Sequence, residues 1–143
     1  MKVVFATLLM LAFASAARAQ LTCFSNLVAS SCGPTLSVTY VPNGAAGNYD
    51  MTMTGIGLHP HSPGVFVWGA HPVNIPLPGG CALLTDYIWG HSFITDSAGV
   101  ATWSRSWPHW ATITFYMQMG SVQVYSNGSY TALTTELRLA GCL

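Results

Sequence analysis

After residue 19 the chain has no lysine, and charge of either sign is scarce. Arg105 and Arg138 stand against Asp50, Asp86, Asp96 and Glu136. With no basic stripe to neutralise phosphates, nucleic acid is excluded as a partner. With no polybasic segment, anionic lipid is excluded as an electrostatic target. No C-x-x-C pair occurs, which removes zinc-ribbon and thioredoxin-like readings. No apolar run is long enough to cross a bilayer. No stretch shows a convincing amphipathic-helix period. So few charges leave the surface to Ser, Thr, Asn, Gly and exposed aromatics, a surface sparsely protected against association.

The opening residues are expected to be an export signal. Met1-Lys2 is a minimal basic region, Val3 to Ala14 is apolar, and Ala17-Arg18-Ala19 is an A-x-A cleavage site. Residues 1–19 are therefore expected to be removed, leaving 20–143 as one secreted or extracellular domain that begins at Gln20. The periplasm and the cell surface are the other sites open to it. All four cysteines, Cys23, Cys32, Cys81 and Cys142, lie in that part. An even count in an exported chain predicts two disulfides, with three pairings open.

Strand signals dominate the rest. Thr35 to Val41, Tyr49 to Thr54, Val100 to Ser104, Ala111 to Met119 and Thr131 to Leu139 alternate apolar and polar residues. Gly64 to Trp68, Cys81 to Thr85 and Ser121 to Tyr125 are shorter apolar runs. Between them lie turn clusters such as Pro42-Asn43-Gly44, Pro78-Gly79-Gly80 and Ser126-Asn127-Gly128. The pattern predicts an all-β fold: a single, disulfide-linked antiparallel β-sandwich of about eight or nine short strands.

Several groups carry candidate chemistry. His59-Pro60-His61 has H-x-H spacing, which on a strand sends both imidazoles to one face. With His71, His91 or His109 it would hold a divalent metal (zinc, copper or calcium); otherwise no cofactor is expected. Gly90-His91-Ser92-Phe93-Ile94 resembles the nucleophile elbow of α/β-hydrolases, but Ile94 replaces the second glycine. Ser92, His91 and Asp86 (or Asp96) are the serine-dependent candidates. Asp96, in a Thr-Asp-Ser-Ala-Gly run, reads more simply as a turn residue. Asp50 and Glu136 are expected on strands, facing outward. Trp68 and Trp103 read as core. Trp107-Pro108-His109-Trp110, beside Tyr87-Ile88-Trp89, reads as an aromatic platform of Tyr87, Trp89, Trp107 and Trp110, able to stack on sugar rings or apolar ligands.

A resemblance joins these segments. Ile75 to Asp86 (IPLPGGCALLTD), Ile94 to Ser104 (ITDSAGVATWS), Ala111 to Gln118 (ATITFYMQ) and Ser126 to Gly128 (SNG) occur in this order. Together with Cys32-Gly33-Pro34-Thr35-Leu36 they resemble the secreted β-sandwich domains common in exported proteins of Planctomycetes and related bacteria. The resemblance covers about Cys32 to Ala140. It implies a Thr-Asp-x-x-Gly hairpin, pairing of Cys32 with Cys81, and hence Cys23 with Cys142 as a clasp joining the termini. It lends no catalytic residues. Two functions are carried forward. The first is a secreted binding or cell-surface interaction module that contacts glycan or another extracellular polymer, or copies of itself, through its aromatics. The alternative is a small secreted hydrolase of esters, lactones or glycosides, either metal-assisted or serine-dependent.

Overall fold

A computed structural model describes residues 22–30, 32–43, 48–108 and 112–143. The expected signal segment, His109 and Trp110 lie outside them. Every regular element among the described residues is a strand. In chain order they are β1 (Cys23–Ala29), β2 (Thr35–Asn43), β3 (Asn48–Ile56), β4 (Pro63–Gly69), β5 (Pro72–Pro76) and β6 (Ala82–Thr85). There follow β7 (Trp89–Ile94), β8 (Ala101–Trp107), β9 (Ile113–Val124), β10 (Tyr130–Thr134) and β11 (Leu137–Cys142). The count is eleven rather than eight or nine. β1, β5 and β7 were not expected, because their residues lack a clean two-residue alternation.

All pairing is antiparallel. A six-stranded sheet runs β1-β11-β9-β4-β7, with β10 also on β9. A three-stranded sheet runs β2-β3-β8, and β5 and β6 form a separate hairpin. The two larger sheets share one core, which makes the fold β-sandwich-like. Leu36, Met51, Met53 and Ala101 come from the small sheet, and Phe66, Trp68, Met117, Met119 and Ala140 from the large one. Burying these side chains supplies roughly 1.5–3 kcal/mol each. Alternation places them: in β3, Met51 and Met53 are buried while Asp50, Thr52 and Thr54 face out.

The outward face of the small sheet answers the shortage of charge with hydroxyls. Thr52 pairs with Ser104 at 2.8 Å, Thr54 with Thr102 at 3.4 Å, and Ser106 donates to Asp50 at 2.5 Å. Thr35, Ser37 and Thr39 continue the polar face on β2.

Three local expectations need correction. Ala111 to Met119 and Ser121 to Tyr125 belong largely to one long strand, β9, because Gly120 continues the ladder opposite Val65 and Thr134. Thr131 to Leu139 is not one strand. It divides into β10 and β11, with Thr135 and Glu136 between them, so Glu136 is not a strand residue. The Thr-Asp-x-x-Gly run is a turn but not a hairpin: β7 pairs with β4 and β8 with β3, so it carries the chain from one sheet to the other. Asp96 accepts from the backbone N–H groups of Ala98 (2.9 Å) and Val100 (2.8 Å). Gly99 sits at φ +71°, and a Cβ there would lie 2.1 Å from the Leu58 carbonyl oxygen.

Two disulfides, Cys23–Cys142 and Cys32–Cys81, link the chain in the pairing implied by the resemblance. Such bonds are consistent with an oxidising compartment. No helix among the described residues is long and apolar enough to cross a membrane.

Candidate aromatic binding site

The two sheets leave a flank where β7, the last strand of the large sheet, faces β8, the last strand of the small one. Inward-directed residues of both strands meet there. On β7, Trp89, His91 and Phe93 stand opposite Trp68, Phe66 and Gly64 of β4 and share their face. On β8, Thr102, Ser104 and Ser106 take the outward face, so Trp103, Arg105 and Trp107 take the other.

Trp68 is the hub. It is 4% exposed, and its indole N–H points at the Met53 sulfur at 3.4 Å. Trp89 stacks on it with centroids 4.3 Å apart, and Trp103 meets it edge-on at 4.7 Å. Trp107 and Phe115 lie 6.1 Å from it. His91 lies 6.4 Å from Trp89 and 6.2 Å from Trp103. The array therefore grades from a buried ring to open ones: Trp103 and Trp107 are half-buried, and Trp89 is 39% exposed. The Arg105 guanidinium lies over Trp107, 5.2 Å from the ring centroid, an arrangement in which the ring quadrupole attracts the cation.

The expected platform is thus only partly assembled. Trp89 and Trp107 join one array through Trp68. Trp107 is no free loop residue: it ends β8, pairs with Tyr49 and packs against the core. Tyr87 is exposed on the other side of the large sheet, where it lines an apolar hollow of about 500 Å³ beneath the β5–β6 hairpin. Val65, Val67, Leu77, Leu83 and Val122 also line that hollow. The sequence showed no sign of it, since its walls come from distant segments. Trp103 packs against the core, as its reading holds, and with Arg105 it also belongs to the aromatic flank. The two-residue spacing of Trp103, Arg105 and Trp107 on an alternating strand was the available signal.

The candidate catalytic and metal groups are dispersed. His91 and Ser92 are adjacent on β7 and project to opposite faces. Asp86 is engaged by His71: the His71 backbone N–H donates to Oδ1 at 2.9 Å, and His71 Nδ1 lies 3.1 Å from Oδ2. That backbone bond, above all, holds the Asp86 carboxyl below its ordinary range, with the His71 side chain and the Ala70 backbone assisting against a smaller desolvation effect. His59-Pro60-His61 lies in a loop rather than on a strand, so the shared-face argument does not apply. Both His59 ring nitrogens contact hydroxyls, Nδ1 at Ser121 and Nε2 at Thr131, each at 3.3 Å. His61 is exposed with φ 49°. No group of three metal-ligating side chains occurs among the described residues.

The fold and flank define a class, an all-β, disulfide-linked, β-sandwich-like domain with an aromatic edge. Comparison of the chain with known protein families, curated proteins and solved structures finds no match.

Proposed function

We propose that this chain is a secreted binding module whose Trp89–Trp103 flank holds an extracellular polysaccharide, and that it is one of the exported β-sandwich domains it resembles. The observation that carries the reading is the stacked Trp89–Trp68 pair at the open flank, with Trp89 exposed and Trp68 buried. A buried indole fixes its exposed neighbour in place, so little ordering cost remains when a sugar ring stacks on it. The hydroxyl face of the small sheet and the two disulfides suit a domain working outside the cell.

The hydrolase alternative draws no support from the geometry of Ser92, His91, Asp86, His59, His61 and His71, which do not converge. In affinity electrophoresis through gels loaded with neutral and acidic polysaccharides, the wild type is retarded by at least one of them. Trp89→Ala weakens that retardation several-fold to about tenfold, the loss of one aromatic stacking contact. An unchanged mobility shift in Trp89→Ala, with the melting temperature kept, would remove the flank from the binding surface. Concentration-dependent assembly without any retardation would instead point to self-association.

A further inference from the structure

We propose that Arg105 makes this flank selective for uronic-acid-containing polysaccharide, its guanidinium taking the carboxylate of a sugar that stacks beside it. The inference rests on the polysaccharide reading above and names the ligand chemistry of that same site.

The argument begins with charge. The chain has four side-chain carboxylates, and each is engaged away from Arg105. Asp50 accepts from Asn43 (3.2 Å) and Ser106 (2.5 Å) on the outward face of the small sheet. Asp86 is held by His71, and Asp96 by its own turn. Glu136 takes the other arginine of the fold, Arg138, through both Nε and Nη2.

The two arginines make a contrast within one molecule. Arg138 lies on β11, where the large sheet faces β2, in a hollow it shares with Ser25, Leu36 and Glu136. There the cation carries its own acid. Arg105 lies at the β7–β8 flank, exposed, and has none among the described residues. What it has is an indole beneath it. A guanidinium resting on a ring face keeps its N–H edge free, and that edge matches a planar carboxylate bidentately. Sterically, the strand spaces Arg105 about 7 Å from both Trp103 and Trp107 along β8. One ligand can therefore meet an aromatic face and the cation together. A uronic acid combines the two complementary features in one residue: a ring for stacking and a carboxylate for the guanidinium.

The test measures titration calorimetry at low salt with oligogalacturonate, oligomannuronate and oligoguluronate, each beside its carboxyl-reduced, neutral counterpart. The expected result is that at least one uronate oligomer binds about tenfold or more tightly than its reduced form, the size of one charge-assisted hydrogen-bonding contact. Arg105→Gln brings the two affinities together, and Arg105→Lys keeps part of the preference, since it retains charge without the planar fork. Raising the salt concentration narrows the gap in the wild type and has little effect in Arg105→Gln. Equal binding of charged and neutral oligomers, or a preference that survives Arg105→Gln, would overturn the proposal. In that case a loss in Trp89→Ala still upholds the polysaccharide reading. If the wild type binds no oligomer of either series and no polysaccharide in the gel, both readings fall.

Discussion

Tyr40 and Trp107 bring polar atoms into the core. Among the described residues Tyr40 Oη and Trp107 Nε1, both buried, have no bonding partner, and both rings line one small cavity with Met51, Phe115 and Met117. Burial pushes the Tyr40 phenol up to about 12. An unfolded tyrosine releases its proton near 10. Below about pH 10 both states hold the proton and this group adds no pH dependence. Between about 10 and 12 only the unfolded state ionises, so stability falls as pH rises through that window. A spectrophotometric titration therefore shows one tyrosine ionising late, and the Tyr40→Phe variant lacks that phase. Because the hydroxyl lies buried without a partner, Tyr40→Phe keeps stability or raises it by about 1 kcal/mol in urea denaturation. A loss above that size would mean that the hydroxyl is bonded in solution. The tyrosine's place on the inner row of β2 was legible from the alternation of Thr35 to Val41. The lack of a bonding partner was not, because Trp107 and Phe115 arrive from distant strands.

At the scale of elements, β9 organises the large sheet. Its first half pairs with β11 and its second half with β10. Between the pairs Thr134–Gly120 and Arg138–Met117, the three residues 135–137 stand opposite two of β9, which is a bulge. Side chains stitch the interruption. Thr135 N–H donates to the Met119 carbonyl at 2.8 Å, and Thr135 Oγ1 accepts from Met119 N–H at 3.0 Å. Gln118, fully buried, sits beside it and donates to Thr135 O (2.9 Å) and Ala82 O (3.1 Å) while accepting from Leu84 N–H (2.8 Å). It thus ties the β5–β6 hairpin to the bulge. Gln118→Leu takes this partner from Leu84 N–H and Thr135 O, while Ala82 O keeps the Thr134 hydroxyl at 2.9 Å, and costs about 2 kcal/mol. Amide exchange at Leu84 rises with it. A cost below 1 kcal/mol would show that the hairpin is held by other means. The alternation of Ala111 to Met119 marked this glutamine in the sequence as part of a strand. Its partners come from segments 17 to 36 residues away, which no local pattern reports.

For the molecule as a whole, the two disulfides act at different places. Cys23–Cys142 joins β1 to the end of β11 across 119 residues, and Cys32–Cys81 ties the approach to β2 to the β5–β6 hairpin across 49. In the loop-entropy model they destabilise the unfolded chain by about 5 and about 4 kcal/mol. Replacing Cys32 and Cys81 together by Ser lowers unfolding free energy by about 4 kcal/mol, and replacing Cys23 and Cys142 lowers it by about 5. Chemical denaturation of each double variant measures this. If the Cys23–Cys142 variant loses nothing, the terminal strand is held by its ladder alone.

Local rules determined much of this protein from sequence alone. Alternating residues marked β2, β3, β8 and the first half of β9, because a pleated strand sends neighbours to opposite faces, and short apolar runs marked β4, β6 and the rest of β9. The cysteine count predicted two bridges, and Asp96 announced its turn. The tertiary structure decided the rest. A two-residue period separates two faces but does not say which sheet a strand joins or which strand lies beside it. It therefore could not place Tyr87 and Trp89 on opposite sides of one sheet, nor turn Trp107 inward, nor leave Arg105 without an acid among the described residues. Each of those outcomes depends on pairing between segments far apart in the chain, and only the closed core sets that pairing.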